Sequence, residues 1–362
     1  MSDMFKWEWH SLWRSRLIWG LLLLAPVLAG LIFVKTQADQ ANQRDTLIAR
    51  LNTVGDNLDN AVSQLGQAYR DTKDKAKKAA INKRLARLSP LADIATQQKL
   101  AFTDGDNATF LTNGQQVVTL SRAYVRDFDP TGQEVRFSAE RYAQQIAWYR
   151  RIQQAGLGFE LPASVRAPNF FYNLASWFCA PAVVLVLALA LHLTRLQDHW
   201  RGSNALLLRN LQHAGTWPLA RLAVDLLTWL GLLTIAVLTA ALILTLFGHP
   251  LLPETRGSWS YPLVVHDTVF MPLLTAVAKA LLIGTLTLTL ATTLFTWAER
   301  FIRQAGSIII GTAALAVTIV GQWLWQSQGI LLLAGTTYLM VLAGLALSNI
   351  VVLSLTMRAY AH

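Results

Sequence analysis

Cysteine is almost absent from this chain: its 362 residues include one, Cys179. An intramolecular disulfide is therefore excluded, and every part must fold by packing alone. Charge is also scarce. Asp, Glu, Lys and Arg make up 14% of the residues, against roughly 25% in soluble domains. With 53% hydrophobic residues, the chain is too apolar to be soluble throughout. No G-x-x-x-x-G-K-[ST] loop occurs, so the backbone cradle that holds nucleotide phosphates is missing. Histidine is missing from positions 36–169; His10, His192, His199, His213, His249, His266 and His362 all lie elsewhere. No metal-ligand cluster, nucleophile–base pair or other catalytic motif is visible, and nothing points to nucleic acid.

What is present is length of apolar sequence. A helix crosses a bilayer with about 20 apolar residues. Such stretches occur six times: Leu17–Val34, Phe170–Leu193, Leu222–Phe247, Val264–Trp297, Ser307–Trp325 and Ile330–Met357. Only helices and closed barrels satisfy backbone polar groups in lipid. Runs this long, apolar on every face, exclude a barrel. The expected fold is an all-α integral membrane protein with six spans. Val264–Trp297 is longer than a span needs and is expected to start outside the lipid or to tilt. Cys179 falls inside the second span, where packing is its expected role.

Lys and Arg in short loops mark the cytoplasmic side. Lys6, Arg14 and Arg16 precede the first span; Arg195, Arg201, Arg209 and Arg221 lie between spans two and three. Arg300 and Arg303 separate spans four and five, and Arg358 follows span six. The opposite side's short flanks hold Lys35, Arg256 and Lys279. Both termini are expected inside and residues 36–169 outside. A cleaved signal peptide is the alternative reading of the N-terminus, because a basic region precedes an apolar one. Within residues 1–16, Phe5, Trp9, Leu12 and Trp13 share one helical face at i, i+4, i+7 and i+8, with Lys6, Arg14 and Arg16 off it. This pattern predicts an interfacial elbow helix anchored in membrane lipid by Phe5, Trp9 and Trp13. Residues 17–35 then form the first span.

The outer segment, 36–169, reads as helical. Leu47, Leu51, Val54, Leu58, Ala61, Leu65 and Ala68 recur at alternating spacings of four and three. The stripe fits a helix packed within its own domain or an intermolecular coiled coil. Pro90 is expected to end a short helix. Gly105, Gly114 and Asp129–Pro130–Thr131–Gly132 are expected to mark loops. Ser138 is the expected N-cap of a helix running to Gln154. The segment has 18 Lys and Arg against 14 Asp and Glu, a net +4.

In residues 170–362, polar groups inside the spans are expensive and informative. Lys279 reads either as snorkelling to the outer interface or as lining a substrate path. The threonines from Thr285 to Thr296 read as helix-packing groups. Arg221 and Asp225, four apart, are expected to pair along their own helix.

Thr194–Ala220 is the one sizeable inner loop. It holds Asp198, Gly202 and Ser203, then Leu206, Leu207 and Leu211 with Arg209 on the polar side of a short amphipathic helix. Pro218-Leu219-Ala220-Arg221 leads into span three. An acidic residue, Gly-Ser four positions later, leucines and a Pro-x-x-Arg entry resemble permease subunits of ATP-binding-cassette transporters, of the type-2 permease family with the type V exporter fold. A large domain between spans one and two resembles the bacteriocin-, lantibiotic- and peptide-resistance branch from Gram-positive bacteria.

The resemblance implies a plasma-membrane permease with no cofactor of its own. It would bind ATP-binding-cassette ATPase subunits, which hold and hydrolyse the ATP, through Asp198, Gly202, Ser203, Leu206, Leu207, Arg209 and Leu211. A second permease subunit, identical or related, is implied too. The substrate class would be an antimicrobial peptide or lipid. A different reading remains open: a non-transporting sensor or scaffold whose outer helices bind a ligand. A membrane enzyme acting on lipid or cell wall is a further alternative, without a visible carboxylate or histidine cluster to support it.

Overall fold

A computed structural model describes residues 2–130, 135, 139–200, 216–249, 258–266, 269–301, 313 and 336–361. The elements run α1 (Ser2–Arg14), α2 (Arg16–Asp71), α3 (Lys75–Asp104), α4 (Asn107–Phe128), α5 (Ala139–Gln154), α6 (Asn169–Phe178) and α7 (Pro181–Trp200). They continue with α8 (Trp217–Leu246), β1 (Pro262–His266), β2 (Val269–Pro272), α9 (Leu273–Phe301) and α10 (Thr336–Ala361). Four helices are long and apolar enough to cross a membrane, or five if α6 and α7 count as one span. The chain is mostly helical and suited to a membrane. Large side chains such as Leu23, Leu31, Leu238, Leu246 and Met340 stand exposed on these helices, as lipid-facing positions would. The fifth expected span, Ser307–Trp325, lies outside the described residues except for Ala313.

Two compact units form. The first comprises Met1–Thr36, Val165–Leu252 and Leu274–His362; the second comprises Gln37–Ser164 and Pro253–Leu273. In the first unit, α1 and α2 break at Ser15, one residue before the expected end of the elbow at Arg16. Helix α2 does not pause at Lys35 or Thr36 but runs 56 residues, about 84 Å at 1.5 Å per residue. Span two is not one straight helix. Helices α6 and α7 meet at a 51° bend across Cys179 and Ala180. Pro181 opens α7; it has no N–H, and its ring collides with the carbonyl four residues back, so the helix cannot run through. The bend is filled from α9. A Cβ on Gly284 would lie 2.9 Å from the Cys179 Cβ and 3.2 Å from Trp229 Cζ2, so the lone cysteine is a buried packing group at a close helix approach. The core of this unit joins Leu12, Ile18 and Ala29 to Leu174, Val184, Leu191, Leu232, Ala236, Ile283 and Leu288.

The second unit is a helical module with its own core. Leu58, Ala61 and Leu65 of α2 pack on Leu88, Leu91 and Ala95 of α3 and on Val117 and Tyr124 of α4. The heptad-like stripe is thus turned into its own unit over these positions. Pro90 corrects the expectation of a helix end: it lies inside α3. One backbone bond is lost there, and the fully buried Leu88 and Leu91 on either side hold the helix in place. Gly105 behaves as expected, closing α3 in the left-handed conformation at φ 78° with its N–H on the Ala101 carbonyl. Asp106 caps α4 by accepting from the Thr109 N–H. Gly114 marks no loop. It sits within α4, where a Cβ would lie 2.5 Å from Tyr149 Cε2, so its smallness permits α5 to approach. Helix α5 ends at Gln154 as expected; its predicted cap, Ser138, lies outside the described residues.

The mostly helical chain agrees with the all-α expectation, with one short hairpin added. The apolar run Val264–Trp297 opens in that antiparallel hairpin, with Leu263 opposite Met271 and Val264 opposite Phe270. Helix α9 begins only at Leu273. The β-branched Val264, Val265 and Val269 favour extended chain, and a short apolar run carries no periodicity to tell strand from helix. Trp148 Nε1 donates to the Pro262 carbonyl at 2.9 Å. The Tyr261 hydroxyl donates to the Glu160 carbonyl at 2.8 Å and accepts from the Glu160 N–H at 3.0 Å.

Candidate functional site

The most unusual chemistry in the first unit is a buried network of charge. It begins on α1, where Glu8 lies one turn from Met4 and one turn from Leu12. All three are buried, because i, i+4 and i+8 share a helix face. Arg195, near the end of α7, donates from Nε to Glu8 Oε2 at 3.0 Å. Its two Nη groups hold both oxygens of Asp225 on α8, one at 2.9 Å. This forked geometry is the one guanidinium is shaped for. Asp225 accepts a further bond from the Thr292 hydroxyl of α9 at 3.1 Å. The other Glu8 oxygen, Oε1, accepts from Trp217 Nε1 at 2.7 Å, and Trp217 is the first residue of α8.

A second pair lies alongside. Arg221 of α8 donates to Glu299 of α9 and faces His192 Nδ1 of α7 at 3.3 Å. Its guanidinium lies over the Trp217 ring at 5.4 Å. His192 stacks on Phe295 with ring centroids 5.0 Å apart. Trp217 meets Tyr360 of α10 edge-on at 5.0 Å, and the Tyr360 hydroxyl donates to the Thr296 carbonyl of α9 at 3.2 Å. Glu8 and Arg221 are each 1% exposed. A buried charge is tolerated only when paired and hydrogen-bonded, and each of these is. Five helices therefore converge on one polar knot. The pairing is between side chains; among the described residues, no group of three or more His, Cys, Asp or Glu is arranged to hold a metal ion.

This knot corrects the expected Arg221–Asp225 pair. Both residues are engaged, but with other helices: Asp225 with Arg195, and Arg221 with Glu299. Lateral partners win because they neutralise charges that burial would otherwise strand. Thr292 fits the expected helix-packing role by bonding across to Asp225 of α8. Thr285, Thr293 and Thr296 do bond carbonyls of their own helix. Asn349, unassigned from sequence, donates to the Leu286 carbonyl of α9 at 3.0 Å.

The geometry brings some of the sequence-derived residues to the site and leaves others aside. Asp198 lies in α7 just beyond Arg195. Gly202, Ser203, Leu206, Leu207, Arg209 and Leu211 lie outside the described residues. Yet both ends of Thr194–Ala220 are placed. One carboxylate, Glu8, takes Arg195 at the beginning and Trp217 at the end. Phe5, Trp9 and Trp13 form a row of rings, 6.2 Å and then 5.7 Å between centroids. Phe5 and Trp9 are half-buried against the core, and Trp13 is exposed. Lys279 lies in the second turn of α9, half-buried, its Nζ 4.3 Å from the ring centre of Tyr338 on α10, a cation–π distance. Sequence reasoning missed Glu8, His192 and Glu299. The available signal was indirect: Asp225 and Arg221 in or beside an apolar stretch each demand an opposite charge, and spacing does not say which residue supplies it. No protein-family model, no curated protein and no solved structure matches this chain.

Proposed function

We propose that this chain is the permease subunit of an ATP-binding-cassette transporter. In this reading, it spans the membrane six times with both termini inside and moves or extracts an amphiphilic substrate. A separate ATPase docks on Thr194–Ala220 and supplies the work. One observation carries the reading: Glu8 binds both ends of that segment, and the same network reaches α1, α7, α8 and α9. A segment pushed by a motor must pass its displacement to the spans, and a buried joint at its base whose charges are paired across helices offers a route for it. Alternating access by rocking of helices is the general logic of transporters. The resemblance of Asp198, Gly202, Ser203 and the following leucines to the type-2 permease pattern supports the same reading. Antimicrobial peptides or lipids are the substrate class it suggests.

The test is co-purification of the full chain with an ATP-binding-cassette ATPase, sought among the products of the neighbouring genes. The complex is expected to elute together and to hydrolyse ATP. Replacing Leu207 and Leu208 with Asp is expected to release the ATPase while the chain stays folded. A wild-type chain that purifies intact, binds no ATPase and supports no ATP-dependent activity would overturn the proposal.

A further inference from the structure

Helix α1 carries a face that the buried network does not use, and its chemistry is one-sided. With Glu8 at the centre of the inward face, successive steps of 100° per residue put Lys6, His10, Trp13 and Arg14 on the outward face. All four are exposed, as are Arg16 and Trp19 just past the break at Ser15. The inward turn of Glu8 matters most. In the sequence it stands among Lys6, Arg14 and Arg16 as an offsetting charge. In the structure it is buried and neutralised by Arg195. The outward face and its corner with α2 keep three cations, Lys6, Arg14 and Arg16, against one acidic position, Asp3, which the same steps put on that face in the first turn of α1. The next acidic residue along α2 is Asp39, about 35 Å from Arg16 at helical rise.

The aromatic side chains are placed to match. Trp13, 36% exposed, and Trp19, 55% exposed, meet edge-on across the break with centroids 5.3 Å apart. They extend the row begun by Phe5 and Trp9. Indole rings settle at headgroup depth, between hydrocarbon and water. Cations on the same corner then lie where phosphates are. Arginine suits phosphate by its forked donors.

We infer that the outward face of α1 and its corner with α2 bind anionic phospholipid headgroups, through Lys6, Arg14 and Arg16 beside Trp13 and Trp19. The occupant is the lipid surface and not a soluble phosphate, because the two indoles seat the corner in the interface. Each cation held at an anionic surface favours binding about fivefold. Salt should weaken the effect, since exposed charges are screened over about 10 Å at 0.1 M. The inference stands apart from the transport proposal and needs no ATPase.

The experiment uses the full chain in lipid nanodiscs, made from phosphatidylcholine alone or with roughly a third phosphatidylglycerol. Amide exchange across residues 2–16 is read by mass spectrometry. Exchange is expected to slow about tenfold when phosphatidylglycerol is present, and the difference should shrink in about 0.5 M salt. The triple variant K6Q/R14Q/R16Q should exchange alike in both discs. The variant Glu8→Gln separates folding from lipid binding: it should speed exchange in both discs yet keep the lipid difference. Equal exchange of the wild type in both discs would overturn the inference, as would a lipid difference that survives in the triple variant. Protection reproduced in phosphatidylcholine discs by soluble glycerol phosphate would also overturn it.

Discussion

At the scale of single residues, the decisive feature is that the buried charges of the first unit are paired across helices and not along them. Arg195 carries two carboxylates from two helices. Truncating it would strand Glu8 and Asp225 in a dry site. Removing one partner of a buried pair costs about 3–5 kcal/mol, so Arg195→Ala should lower the thermal midpoint of the purified protein sharply. The double variant E8Q/R195M should recover part of the loss, because neutral partners strand less charge; a double-mutant cycle reads the coupling. Tyr149, in the second unit, supplies a pH prediction. Burial pushes its hydroxyl up to about 12, although the Gln145 side chain donates to it and eases the phenolate. The folded value is raised, so the unfolded chain releases this proton first, near the ordinary value of about 10. Stability from Tyr149 is therefore complete below about pH 10 and lost as pH rises towards 12. Tyr149→Phe should flatten that loss in an alkaline unfolding series. Little of this was readable in advance. Asp225 announced that a cation was needed, but Glu8 and Arg195 stand 187 residues apart, and sequence spacing carries no information over such a separation.

At the scale of elements, the legible features were those with periodicity or a cap. The break at Ser15, the stripe Leu58–Ala61–Leu65 and the end of α5 at Gln154 follow from spacing and turn chemistry. The misread ones were short apolar runs and isolated Pro and Gly, where packing decides. Pro90 sits in a helix because neighbouring leucines are buried, whereas Pro181 breaks one, and the smallness of Gly284 lets another helix close on the bend at Cys179. Gly114 illustrates the same point and gives a test. A methyl group there would press on Tyr149 and Gln98. Overpacking costs about 1–3 kcal/mol, so Gly114→Ala should destabilise the second unit even though alanine is the better helix former. The hairpin offers a sharper readout. Tyr261 serves both backbone groups of Glu160, and stranding buried backbone groups costs about 1–3 kcal/mol. Tyr261→Phe should speed exchange of the Glu160 amide by about tenfold or more, while amides deep in α3 and α4 stay protected.

At the scale of the whole molecule, charge placement makes a claim about sidedness that packing cannot make. The chain carries +10 overall, yet its basic residues gather at alternate ends of the apolar helices. Arg14 and Arg16 flank the start of α2, Arg195 and Arg221 flank the 201–215 stretch, and Arg358 lies in the last turn of α10. Insertion favours keeping such clusters on the cytoplasmic side, so the expectation to be tested is that residues 36–169 lie on the other. The lone cysteine makes this testable without background, because Cys179 is fully buried. In intact cells, a membrane-impermeant maleimide is expected to label Ser63→Cys, an exposed position on α2. Asn204→Cys, in the inner loop, is expected to react only after the membrane is permeabilised. Wild type should stay unlabelled in both states. Labelling of Asn204→Cys in intact cells, with Ser63→Cys protected, would invert the orientation. It would also remove Thr194–Ala220 from the side where an ATPase works, so the sidedness experiment bears directly on the proposed motor.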